Sequence, residues 1–101
     1  MLNQTIIVGR LVSNPTKEIE ENETTTKIIL AVPRNFKNSN GEYETDFFPV
    51  TLYKGIGETT TEYCKKGDLI GIKGRLQTKD NQIVIIAEKV TFLSSRKENE
   101  E

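Results

Sequence analysis

The longest uninterrupted apolar runs in this chain, Ile28 to Val32 and Ile83 to Ala87, are five residues long. A helix that crosses a bilayer needs roughly 20 apolar residues, so a membrane-spanning helix is excluded as the organising element. What remains is a set of short runs rich in Ile, Val and Thr, each cut by Pro, Gly or Asn, which is the pattern of strands joined by turns.

Five strands follow. Leu2 to Val12 is the first, carried by Thr5, Ile6, Ile7 and Val8 and stopped by the Ser13-Asn14-Pro15 turn signal. The acidic segment after it makes a second turn or a short strand. Thr24 to Val32 is the second, closed by Pro33, which has no N–H for a ladder. Arg34 to Tyr43 is a polar loop in which Asn40-Gly41 marks a hairpin turn. Thr45 to Tyr53 alternates, placing Phe47, Pro49, Thr51 and Tyr53 on one face and Phe48, Val50 and Leu52 on the other, core-directed face. Ile56 to Lys66 reads as a short helix with Lys65 and Lys66 in its last turn and Gly67 at its end. Asp68 to Thr78 and Gln82 to Leu93 form a tight hairpin about Lys79-Asp80-Asn81, with Phe92 a core residue.

An all-β chain of five strands with one short helix between the third and fourth has the element order of an OB-fold, a five-stranded Greek-key barrel. At 101 residues the chain supports one such domain, over 1–93, followed by a short, disordered polar tail over 94–101. Gly9, Gly71 and Gly74 fall inside strands, where a barrel needs bends or close approaches.

Chemistry is limited by composition. Cys64 is the single cysteine and histidine is absent, so an internal disulfide and the common nitrogen and sulfur metal sites are excluded. Cys64 reads as a small buried hydrophobe, and with no neighbouring base to activate it, no nucleophilic enzyme is indicated. Gly55-Ile56-Gly57 lacks the rest of a phosphate-binding loop. No metal or cofactor is expected. The amino terminus has no secretory pattern, so the expected location is the cytoplasm.

The net charge of -1 hides an uneven distribution. Glu18, Glu20, Glu21 and Glu23 crowd one stretch and Glu98, Glu100 and Glu101 end the chain; setting those seven aside leaves 14 basic against 8 acidic residues. A locally positive face is therefore compatible with an acidic total. Aromatic residues and cations interleave, with Phe36 between Arg34 and Lys37, and with Phe47 and Tyr53 on one face beside Lys54. Rings that stack on bases and cations that meet phosphates are what a protein needs to hold single strands without reading sequence.

Three segments carry a family resemblance. LNQTIIVGRLVSNPTKE, ILAVPRNFKNSNGEYETDFFPVTLY and YCKKGDLIGIKGRLQT occur in the order and at the spacing of the bacterial single-stranded DNA-binding protein family, and the likeness covers nearly all of residues 1 to 93. The resemblance implies binding and protection of single-stranded DNA in replication, recombination or repair. It also implies a homotetramer paired through the first strand, with a homodimer as the fallback, contacts to other replication proteins, and a place at the nucleoid. It puts Phe36, Phe47 and Tyr53 at the family's base-stacking positions. Arg34, Lys37, Lys54, Lys73, Arg75 and Lys79 are the candidate phosphate contacts, with Lys73 and Arg75 on one strand face. Two departures stand out: the hairpin after the fourth strand is very short, and the long linker with an acidic tip is missing. Both suit a second reading, a primosomal-type OB protein acting mainly as a protein-interaction module.

Overall fold

β-Branched side chains are stiff at χ1 and suit a pleated surface, and the Ile, Val and Thr runs settle accordingly. The computed structural model describes residues 1–94. Its elements are β1 (Thr5–Leu11), β2 (Thr16–Glu20), β3 (Glu23–Lys37), β4 (Tyr43–Tyr53), α1 (Lys54–Tyr63), β5 (Leu69–Lys79) and β6 (Gln82–Ser94). The sheet order is β1-β5-β6-β4-β3-β2, and a further β1–β3 pairing closes it into a barrel. β1 and β2 lie along the same strand, β3, and act as two halves of one bent strand broken at residues 12–15. Five positions therefore surround the barrel, with α1 between the third and fourth, as the sequence predicts.

The acidic stretch takes the strand alternative. β2 returns to β3 through Glu21 and Asn22, both at positive φ (49° and 66°), with Glu20 opposite Glu23. A two-residue turn of this kind matches the twist of its flanking strands. Asp80 and Asn81 (φ 54° and 66°) do the same between β5 and β6, with Lys79 opposite Gln82.

Three expectations are corrected. Pro33 does not end its strand: β3 runs on to Lys37. The Ile29 carbonyl accepts from the Val12 N–H, so Ile29 faces β1, and alternation turns Pro33 to the same side. The β1 ladder has ended at Ala31, so the missing N–H leaves nothing unpaired. α1 starts two residues earlier than expected and ends at Tyr63, with Cys64 extended as its C-cap, so Lys65 and Lys66 lie outside it. Gly67 (φ 94°) serves the turn after the helix, in which the Asp68 N–H donates to the Lys65 carbonyl. Phe92 is not core: it is 44% exposed and lies against Tyr63, ring centroids 6.0 Å apart. Ser94 ends β6, and the rest of the expected tail lies outside the described residues.

The core follows the period of two. Ile28 and Leu30 of β3, Val50 and Leu52 of β4, and Ile70 and Ile72 of β5 are each buried to within 2% of completely. Leu11, Ile85, Ala87 and Cys64 complete the cluster. Burial, helped by the Asp68 charge, pushes the Cys64 thiol up to about 11. Two glycines allow the strands to approach: a Cβ on Gly9 would lie 2.7 Å from the Ala31 carbonyl oxygen, and one on Gly74 would overlap the Ile86 carbonyl.

Gly74→Ala should lower stability in thermal melts by about 1–3 kcal/mol, because the obstruction is backbone. Gly55→Ala, where a Cβ meets nothing within 4 Å, should be neutral or stabilising. Iodoacetamide at pH 8 should label folded Cys64 at least about tenfold more slowly than a peptide cysteine. Since the folded thiol value is raised, the associated stabilisation is complete below the ordinary thiol range and is lost as pH climbs toward 11.

Candidate nucleic-acid interface

Alternation along β4 sends Phe48, Val50 and Leu52 inward and leaves Tyr43, Phe47, Pro49 and Tyr53 on the outer surface. Phe47 and Tyr43 are each 60% exposed, and Tyr53 is half-buried. Directly opposite on β3 stand Ala31 (Phe47), Lys27 (Thr51) and Thr25 (Tyr53). On the other side Thr51 meets Ile86 of β6, which meets Arg75 of β5, followed by the Val84–Gln77 and Gln82–Lys79 pairs. Ile86 is 3% exposed yet stands outside the core cluster, so it floors this outer face. A cleft of about 30 Å³ joins the strands here, lined by Tyr53, Lys27, Thr25, Gln77, Lys79 and Ile86 among others.

Beyond Val32, β3 and β4 continue as a two-stranded arm. Its tip is tied by the Asn38 N–H donating to the Glu42 carbonyl and the Gly41 N–H to the Asn38 carbonyl, with Gly41 at φ 78° in the predicted hairpin turn. Pro33 pairs Thr45 and Lys37 pairs Tyr43, so Arg34, Asn35 and Phe36 together oppose Glu44 alone. This bulge holds Phe36 60% exposed on a strand, where the sequence reading had a loop. Lys37 sets its ammonium 5.8 Å from the centre of the Tyr43 ring, a cation–π contact.

Arg34 is occupied. Its Nε and Nη2 donate to the two carboxylate oxygens of Asp46 at 3.0 and 2.9 Å, and its Nη1 donates to Glu44 at 2.8 Å. Asn38 donates to the other Glu44 oxygen at 2.9 Å. The hydrogen bond and charge of Arg34 hold the Asp46 carboxyl below the usual carboxylate range, and the pairing raises Arg34 in turn.

The remaining predicted cations divide. Lys79 enters the Tyr53 cleft. Arg75 borders it, but donates to Gln77 at 3.0 Å and pairs with Glu88 at 3.4 Å. Lys73 lies further along β5, opposite Ile6 of β1 and Lys89 of β6. Lys54 is not brought to this face. It opens α1 at φ 42° and lines a separate cavity of about 680 Å³ between the helix and the β2–β3 hairpin, with Lys17, Glu23, Glu58 and Glu62. Although larger, that cavity sets Glu23, Glu58 and Glu62 against two lysines and has no aromatic lining among the described residues, which suits a polyanion poorly.

Sequence reasoning missed Tyr43 and Lys27. Extending the third strand by one more period of two beyond Thr45 reaches Tyr43, and the same period through Thr25 and Ile29 puts Lys27 outward.

The sequence matches the Single-strand binding protein family over residues 2–93. Single-stranded DNA-binding protein 1 of Clostridium acetobutylicum is 37% identical over 110 aligned positions, covering 96% of this chain and 98% of that one. Single-stranded DNA-binding protein B of Bacillus subtilis is 41% identical over 80, covering 78% and 71%. Among solved structures, the Plasmodium falciparum SSB complex with ssDNA superposes with a TM-score of 0.74 at 22% identity, covering 93% of this chain and 96% of that one. A deletion mutant of the single-stranded DNA binding protein from Thermus aquaticus gives 0.72 at 23%, with 94% of this chain covering 52% of that one. At those identities the two structures show the shared barrel.

Proposed function

The chain belongs to the Single-strand binding protein family, and from this we propose that it binds and protects single-stranded DNA without reading sequence, in replication, recombination or repair. The observation that carries the reading is the row of Tyr43, Phe47 and Tyr53 on one outer strand face, the first two exposed and Tyr53 half-buried, all three outside the core cluster. Bases stack on Phe47 and Tyr53, with Phe36 adding a ring on the arm. Lys37 and Lys79, followed along β5 by Arg75 and Lys73, meet phosphates. Every base has a π-face and every nucleotide a phosphate, so this set holds any sequence. The names of the Clostridium and Bacillus relatives support DNA binding over the protein-interaction reading.

Self-association belongs to the same proposal. Ile6 and Val8 on the outer side of β1 are 68% and 48% exposed, and Leu93 and Val8 flank Gly71, giving an apolar patch on the outer face of β1 and β5. Such a patch favours pairing of two copies, and two pairs make the homotetramer. Recruitment of other replication proteins, and action at the nucleoid, complete the reading.

Ring variants, salt dependence and assembly each test it. Phe36→Ala, Phe47→Ala, Tyr43→Ala and Tyr53→Ala should each lose roughly 1–3 kcal/mol of oligo-dT binding, with thermal stability little changed for the first three and modestly for Tyr53. Melting that collapses while the folded fraction binds normally would make the rings structural. Binding should also weaken with salt, and Lys37→Ala/Lys79→Ala should flatten the log–log slope by about 1.4, at roughly 0.7 per phosphate; salt-independent affinity overturns the phosphate contacts. Light scattering at micromolar concentration should give a tetramer, or at least a dimer, and Val8→Lys should reduce it. A monomeric parent chain rejects the assembly.

A further inference from the structure

A guanidinium beside a nucleic-acid face is ordinarily read as a phosphate contact, and the position of Arg34 on the arm invites that assignment. Its bonds point elsewhere. Three of its nitrogens are committed, two of them side-on to one carboxylate, the arrangement in which the planar fork fits best. Asp46 is an immediate neighbour of Phe47, and Glu44 of Tyr43. Arg34 itself sits in the bulge that carries Phe36. The cluster thus crosses the arm just where the ladder is irregular and where backbone pairing alone cannot fix the geometry. Asn38 extends it to the tip: its amide donates to Glu44, and its side-chain oxygen accepts from the Asn40 and Glu42 N–H groups at 2.8 and 2.9 Å.

We infer that Arg34, Asp46 and Glu44 are positioning residues, a charge cluster that holds the arm in the shape presenting Phe36 and Tyr43, and that Arg34 is not a phosphate contact. With Arg34 and Lys37 set against Glu42, Glu44 and Asp46, the arm carries a net charge of -1, so it engages the strand by its rings and Lys37 and not by a positive field. The inference rests on the proposed binding of single strands.

Asp46→Asn separates the alternatives by sign. If Arg34 met a phosphate, removing its competing carboxylate would free the guanidinium and delete a negative charge near the ligand, and oligo-dT binding would tighten. If the cluster positions the arm, the same variant loosens binding, by about threefold or more. Arg34→Lys keeps the charge but lacks the fork, and it should weaken binding similarly with the salt slope unchanged. Amide exchange of Asn38, Gly41 and Glu42 should accelerate in both variants, while the melting temperature of these exposed substitutions stays near that of the parent. Equal or tighter binding by Asp46→Asn, full affinity in Arg34→Lys, or unchanged exchange at the arm tip overturns the inference. A parent chain that fails to bind oligo-dT would instead remove the proposed function, so the two failures are distinct.

Discussion

β1 has partners on both edges, β5 along most of its length and β3 at its end, and on that double pairing the rest of the molecule depends. A short sheet with open edges exposes unpaired N–H and C=O groups and has no enclosed interior. Closing five strand positions into a ring removes those edges and defines an inside. Once the inside exists, the period of two assigns every strand residue to one side or the other. Closure has a steric condition. Where β1 meets β3, and where β5 meets β6, the backbones come so near that Gly9 and Gly74 have no room for a Cβ.

The same alternation separates the two tasks of β4. Phe48, Val50 and Leu52 build the core, and Phe47 and Tyr53 meet whatever lies outside. Single exposed apolar side chains are ordinary on a protein surface; aromatic rings in line along one strand, over a buried Ile86 and beside lysines, are not. The charges are sorted as well. Glu23, Glu58 and Glu62 gather around the cavity between α1 and the β2–β3 hairpin, away from the Tyr53 cleft that Lys27 and Lys79 line. A chain with a net charge of -1 can in this way present a local surface suited to a polyanion.

The β3–β4 arm shows the limit of reading charge from a sequence. Arg34 and Lys37 stand three positions apart around a phenylalanine, and nothing local tells them apart. In three dimensions one guanidinium is bound by two carboxylates from the opposite strand and the other cation lies over a tyrosine ring. The two carboxylate partners are ten and twelve positions away along the chain and the ring partner six, beyond a turn whose register only the folded hairpin sets.

The sequence by itself determined the strand runs, the Asn40-Gly41 and Asp80-Asn81 turns, the inward set of β4 and the family, because these rest on local propensity, turn chemistry and a strict period of two. It also made Phe36, Phe47 and Tyr53 legible as rings without a place in the core. The tertiary structure alone decided the rest. It carried β3 through Pro33, because the ladder on that side had already ended. It ended α1 at Tyr63 by turning Cys64 extended, and it left Phe92 outside the core against Tyr63. It took Lys54 away from the face of Tyr53 and brought Lys79, some twenty-six positions distant, into the cleft beside it. Each of these depends on which strands become neighbours when the ring closes, and strand adjacency is a long-range property that no local pattern of residues encodes.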